Sequence, residues 1–512
     1  MWDKSKIPQK KWKVWKNLSV SKSVKITKIY SELDSFGREK FEIVRSKAIH
    51  NVDTLYYSIR LLNDDVENEN EDIKKFLYFL NFYKNDSTLE NEIFDDRTEF
   101  VFNHGSFSFY KYKLSYGNLF DVFIAENLPN LNTPRIVVQL RSAMLWGIGD
   151  KSALIQSFNR VKKLLDFYNL KVLEVNENRI DFCYHCNFIQ KLATYFSDDV
   201  ISNYLISTFK IGSKVFRKDH KKLTYEYLSL GNRKSNNLFF RTYNKTREVC
   251  EMGYKDFFLD IWFDNGLISE YDLYIYTYCY QKRSYDQRYV AMMKYYIEYG
   301  KDDILKSRFE SLLNNETTTL EQVRKSIKGI CPEPTIIQNV EFQTMRKFYY
   351  NSYDLISTLP VIEDFSEIEL LRIMQILDNR KIFLDYLLTK TVCFTKKDID
   401  TDFSKLKYKD YMADWWSRIY TLKLDETVQI QYKRLYKNSN NIEYNVNRLI
   451  STLATISVLK NKDDTTLLED LSSFICSIND NDDYLEYKNA IYDIKKNKKK
   501  KAQKNINEFK TF

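Results

Sequence analysis

A tyrosine phenol ionises near pH ~10, so at neutral pH it attacks phosphorus only when something nearby favours its anion. Residues 238–245, Leu-Phe-Phe-Arg-Thr-Tyr-Asn-Lys, read as a strand. Alternation then sets Arg241, Tyr243 and Lys245 on one face, each ~6.6 Å from the next. Flanking cations favour a phenolate and also hold a phosphate with the charge that develops on it. Transesterification of a phosphodiester needs that order: the nucleophile in the middle and a phosphate clamp on either side. Just upstream, Leu230, Gly231, Asn232, Arg233, Lys234 and Ser235 offer a turn whose backbone N–H groups and two cations suit a phosphate. With 39 Tyr and 79 basic residues in the chain, the same spacing also arises by chance, and the plain alternative is a surface strand.

Positioning such a strand takes a sheet. Asp53 to Leu62 reads as a strand running into the polar turn Asn63, Asp64, Asp65, and Phe76, Phe79, Leu80 and Tyr83 follow at helical spacing. Phe107 to Leu114, Leu119 to Ala125 and Pro134 to Leu140 read as strands. A helical period returns over residues 152–170, and two more strands are expected at Leu170 to Val175 and Arg179 to Tyr184. The mixture predicts an α+β fold, an antiparallel sheet with interposed helices. Beyond about residue 285 the strand signal fades. Helices are expected at Asp286 to Tyr299 before Gly300, at Thr319 to Lys328 before Gly329, after the capping pair Ser366 and Glu369, at Tyr411 to Leu422 and at Val446 to Leu459. The expected organisation is a basic arm over 1–48, a sheet-bearing domain over 49–300, a mainly α-helical region over 301–490 and a Lys-rich tail over 491–512.

Composition agrees with helices more than with a turn-dense all-β chain, since 512 residues hold only 11 Gly and 6 Pro. A net charge of +9 suits a polyanionic partner, and the cations gather at the start, between Lys210 and Arg247, and from Lys495 to Lys504. Trp2, Trp12 and Trp15 alternate with lysines in the arm, a pattern that serves stacking on bases or packing on the body. Seven irregularly spaced Cys imply reduced thiols and a cytoplasmic protein. No apolar run is long enough to span a bilayer, and no secretory signal is visible. Cys183 and Cys186 flank His185 without a second pair, so packed thiols are expected rather than a zinc site. His50, His104 and His220 are isolated, and Trp415 and Trp416 read as helix core.

Tyr227 to Ser235, followed by Arg241, Tyr243, Lys245 and Glu248, resembles the signature of the replication initiation factor family, which holds rolling-circle plasmid initiators and the nicking proteins (relaxases) of conjugative transposons. Other segments fall in that family's order: Asp53 to Leu55, Pro134 to Ser142, Arg179 to Asp181, and Leu267 to Tyr274 as a late acidic strand. The resemblance covers about residues 50–300. It implies that 49–300 is a nicking domain, in which Tyr243 cuts origin DNA, keeps a 5′-phosphotyrosine link and leaves a 3′-hydroxyl. It further implies Mg²⁺ or Mn²⁺ held by carboxylates, with Asp181, Asp272 and His185 at the corresponding places, and DNA contacts from Arg233, Lys234, Ser235 and Arg141. Single-stranded or cruciform origin DNA, a host helicase and a second copy of the chain are the implied partners. The sequence departs from the family pattern at Gln139, Glu270 and His185 and over Ala143 to Trp146. Asp181 and His185 also lie ~13 Å apart along a regular strand, too far to share one ion without a bulge. Two alternatives follow: a relaxase with the same chemistry, and a non-catalytic DNA-binding protein that keeps the fold.

Overall fold

The computed structural model describes residues 46–422, apart from 63, 65–69, 96, 108, 130–132, 191–197, 209–210, 220–221, 234–236, 253–254, 351–352, 360, 362–367 and 397–410, together with a two-strand ladder at Glu32–Leu33 and Glu39–Lys40. These residues all fall within one compact unit, 1–434. The tail, most of the basic arm with its tryptophans, His220, Ser366 and the helix expected at Val446 to Leu459 lie outside them.

Eleven strands build one sheet in which each neighbouring pair is antiparallel. In chain order they are β1 (Ala48–Leu61), β2 (Ile93–Asp95), β3 (Phe100–Asn103), β4 (Tyr112–Tyr116), β5 (Phe120–Ile124), β6 (Ile136–Leu140), β7 (Val172–Cys186), β8 (Ile211–Asp219), β9 (Lys222–Leu230), β10 (Leu238–Asn244) and β11 (Gln338–Met345). Their order across the sheet is β8-β9-β10-β11-β7-β1-β6-β5-β4-β3-β2. The α+β expectation therefore holds.

Several local expectations are corrected. The two strands expected at 170–175 and 179–184 are one, β7. Residues 267–274 do not form an acidic strand: Glu270–Gln281 is a helix, started by Ser269 and Asp272 as a reciprocal capping box. Ala143 to Trp146, where the sequence departs from the family pattern, belongs to the helix Ser142–Ile148. The sheet also does not stop at residue 300. Strand β11 lies between β10 and β7, so residues well beyond 300 supply its middle. The signal for β11 was present but faint. Val340 and Phe342 alternate with Asn339, Glu341 and Gln343, a period of two hidden among polar residues.

That alternation gives the central strands two unlike faces. On one, Phe240, Val340, Phe342, Ile180, Phe182, Val52, Val138 and Val122 are buried in the main core. The helix Asp150–Phe167 covers part of this face through Ser157, which meets Tyr57. Trp416 of the helix Asp414–Tyr420 packs on Phe240 and Phe342, as expected of a core tryptophan. On the other face the register places Tyr243 beside Asn339, Arg241 beside Glu341, Gln343 beside Asp181 and Asn339 beside His185. This polar face carries the candidate site. Cys183 and Cys186 are buried free thiols, as expected.

Phe182 sits on β7 at the centre of the sheet, in register with Val52 and Phe342 and with no exposed surface. Phe182→Ala is expected to cost about 3–5 kcal/mol, because the rigid sheet cannot close the hole. Urea denaturation followed by tryptophan fluorescence measures it.

Candidate active site

Tyr243 is the next-to-last residue of β10, and its side chain is partly buried. Lys245 does not continue the strand. Asn244 caps a new helix, Lys245–Glu251, by accepting the Arg247 backbone N–H at 3.0 Å, so Lys245 is the first helical residue. The turn still brings its ammonium to the phenol, with Nζ donating to Tyr243 Oη at 3.3 Å. Helical spacing then sets Glu248 beside Lys245 at 2.8 Å, and Tyr243 Oη donates to Glu248 Oε2 at 3.4 Å. The Arg241 guanidinium stands 5.3 Å from the Tyr243 ring centroid. Tyr227, the cross-strand partner, stacks on that ring at 6.3 Å.

The expected pair of phosphate clamps is revised by burial. The Lys245 side chain has no exposed surface, so its charge faces the phenol and two carboxylates rather than open solvent. Those carboxylates are Glu248 and Asp53, the latter 3.6 Å away. Burial opposes the Lys245 charge, but Asp53 and Glu248 outweigh it and hold the ammonium well above its ordinary pKa. Asp53 sits where the β1 register shifts between Val52 and Thr54, an irregularity of the kind that re-aims a side chain. There it also accepts the Trp146 indole N–H at 3.2 Å. Arg241 remains partly exposed, bound through Nε and Nη2 to one oxygen of the fully buried Glu341. The phenol itself is not activated at rest. Burial raises its pKa above the ordinary value, and Lys245 offsets only part of that.

The expected metal ligands do not assemble. Asp181 is buried and ion-paired with Arg179. Glu341 stands diagonal to it across β11 and β7. Asp272 is spent on its own helix start, accepting from the Ser269 backbone and hydroxyl and from the Thr335 N–H at 2.8 Å. His185 lies flat against Trp146, 4.6 Å between ring centroids, and its Nδ1 accepts the Trp262 indole N–H at 3.1 Å. Among the described residues no group of three or more His, Cys, Asp or Glu is placed to hold a metal ion. The ligand set implied for Mg²⁺ or Mn²⁺ thus does not fit this arrangement.

Of the expected DNA contacts, Arg233 is exposed and donates to Gln343 at 3.2 Å, while Lys234 and Ser235 lie outside the described residues. Arg141 is far along the sheet, bound to Asp121 of β5 through Nε at 3.0 Å. Sequence reasoning missed Asp53, Glu341 and Lys255 as members of the site. Lys255 binds Glu248 Oε1 at 2.7 Å. For Glu341 the alternation of β11 carried a usable signal; for Asp53 and Lys255 the pattern carried none.

No protein-family model matches the sequence, and no curated protein does. Among solved structures, the chain is similar to a rolling circle replication initiator protein from Geobacillus stearothermophilus, at a TM-score of 0.34 and 12% identity over 73% of this chain and 95% of that one. At that level the likeness carries no argument about what this chain does.

His185 supplies a pH test of the buried site. Burial lowers its pKa from 6.5 to about 3, with Lys245 adding to the effect. The unfolded chain therefore binds a proton that the folded one refuses, and stability falls as pH drops from about 6.5 towards 3. His185→Phe removes that term. Its stability is expected to fall less steeply than the wild type's between about pH 6.5 and 4, by up to about 1.4 kcal/mol per pH unit. Urea titrations of both proteins at stepped pH give the two slopes.

Proposed function

We propose that this chain nicks and rejoins single-stranded DNA at a replication origin, with Tyr243 as the nucleophile. The observation that carries the reading is the placement of the phenol. Its oxygen lies 3.3 Å from a buried ammonium and 3.4 Å from a carboxylate, at the edge of a polar sheet face and beside a guanidinium. Attack by Oη on a phosphodiester would place growing negative charge on the phosphoryl oxygens, where Arg241 is the partly exposed cation. Lys245, out of reach of solvent, would stabilise the phenolate oxygen instead. Strand transfer would leave a 5′-phosphotyrosine and a free 3′-hydroxyl, as the sequence resemblance implies, and reversal by a new 3′-hydroxyl would rejoin DNA. Rolling-circle initiation and conjugative relaxation share this step, and single-stranded or cruciform origin DNA is the substrate in either. A helicase and a second copy of the chain are proposed partners.

A second reading, a DNA-binding protein without catalysis, is favoured by two observations. The acids implied as metal ligands are occupied elsewhere, and the resting phenol is harder to ionise than free tyrosine.

The two readings part on one experiment. Single-stranded oligonucleotides tiled across both strands of the coding DNA and its flanks, labelled at the 3′ end, are incubated with the protein and Mg²⁺ or Mn²⁺ and resolved on denaturing gels. A labelled covalent adduct is expected with the wild type and none with Tyr243→Phe. Arg241→Gln should slow adduct formation by about 10²–10³-fold, the loss usual for one donor to a developing anion. An adduct that survives Tyr243→Phe removes the nucleophile assignment. Salt-sensitive binding without any adduct supports the second reading.

A further inference from the structure

A nucleophile with a raised pKa needs somewhere to send its proton. Four charged side chains run in alternation away from Tyr243: Asp53, Lys245, Glu248 and Lys255. Glu248 is the carboxylate that reaches the phenol, and it divides its oxygens. Oε2 lies 2.8 Å from Lys245 Nζ and accepts from Tyr243 Oη at 3.4 Å, whereas Oε1 is held 2.7 Å from Lys255 Nζ. The series meets solvent at its Glu248 and Lys255 end, where the side chains are 23% and 12% exposed; Lys245 is sealed. Lys245 is packed 4.8 Å from the centroid of Phe258, so it cannot swing outward.

We propose that Glu248 is the general base that takes the Tyr243 proton during strand cleavage, with Lys255 as the residue that positions it and keeps it ionised. The proposal rests on the nicking activity proposed above and names the proton acceptor within it. The Tyr243 Oη–P bond forms as its proton passes to Glu248 Oε2. The P–O3′ bond breaks, and its electron pair leaves on the 3′-oxygen, which takes a proton from water. Glu248 then gives its proton back to solvent on the Lys255 side. The separation of 3.4 Å is long for a transfer, as is usual before substrate draws the groups together.

The two lysines also settle when the base is ready. Burial works against the Glu248 charge, but Lys245 and Lys255 outweigh it and hold the carboxyl far below its usual range. It is therefore an acceptor throughout the neutral range. Such a base is weak, and Lys245 corrects for that: as charge grows on Oη, the ammonium between the two oxygens is drawn to the phenolate and loosens its hold on Glu248. The other charged or titratable groups nearby are Asp53, whose charge Lys245 and Lys255 sustain against burial, the neutral His185, and the Arg241–Glu341 ion pair beside the phenol.

The test is single-turnover adduct formation on the oligonucleotide cleaved by the wild type, followed across pH. Glu248→Gln is expected to lose about 10²–10⁴-fold at neutral pH, the usual worth of a positioned base. Its residual rate should climb about tenfold per pH unit, because only the free phenolate then reacts. Glu248→Asp should recover part of the loss. Lys255→Met removes a cation from Glu248, so the acid limb of its profile should move to higher pH, which a merely structural lysine would not cause. DNA binding and thermal melting of each variant identify any that fails to fold, and Glu248→Asp and Lys255→Met then stand in for Glu248→Gln. A wild-type rate and pH profile in Glu248→Gln, with Tyr243→Phe inactive, overturns the base assignment and leaves the nicking reading intact. If the wild type itself forms no Tyr243-dependent adduct, the nicking reading falls and this inference falls with it.

Discussion

A lysine ammonium without exposed surface governs the layout of the candidate site. Stranded charge in a protein interior is costly, so Lys245 is tolerable only because Asp53 and Glu248 flank it. Each partner comes from a different part of the chain. Asp53 is turned inward by an irregularity in β1, and Glu248 is set three residues along by the helix that Asn244 caps. Trp146 reaches over from the helix Ser142–Ile148 to fix Asp53, and Phe258 closes the remaining side. Removing Asp53 or Glu248 leaves the buried ammonium with one carboxylate in place of two. The Tyr243 neighbourhood is thus specified by electrostatic balance as much as by packing.

The same economy explains the polar face. Arg179 with Asp181 within β7, and Arg241 with Glu341 across β10 and β11, are ion pairs at the centre of the sheet. The opposite face is apolar and covered by helices, while the site face combines its charges with the aromatic packing of Trp146, Phe258 and Trp262 around His185. That division depends on strict two-residue alternation in β7, β10 and β11, and a slip of one residue would exchange core for site.

How much of this the sequence disclosed varies with the signal each element leaves. β6 and β10 are short apolar runs with clear edges, and they lie close to where the pattern puts them. Tyr243 and its cations were legible because they stand within five residues of one another. β11 was hidden because five of its eight residues, Gln338, Asn339, Glu341, Gln343 and Thr344, are polar and buried, which periodicity alone reads as loop. The segment 267–274 misled in the opposite way. The family resemblance implied a strand there, yet Ser269 and Asp272 cap a helix, and local hydrogen bonding decided the outcome. The implied metal ligands did not assemble, and for Asp272 part of the reason was local, since Ser269-x-x-Asp272 is itself a capping spacing, while its contact with Thr335 leaves no trace in the pattern.

The position of β11 has a consequence for how the molecule comes into being. β8, β9 and β10 form one antiparallel block, and β1 to β7 form another; β11 is the strand that stitches them together. Among the described residues five helices of eight or more residues separate β10 from β11 in the chain: Phe257–Asp264, Glu270–Gln281, Arg288–Tyr299, Asp303–Asn314 and Leu320–Ile327. Pairings of such long sequence separation form late, after local elements are in place. On a ribosome the tyrosine is made well before the strand that joins it to Asp181 and His185. A nascent chain therefore carries Tyr243 without its sheet until residue 345 has emerged, and assembly itself delays the moment at which this phenol can meet its neighbours.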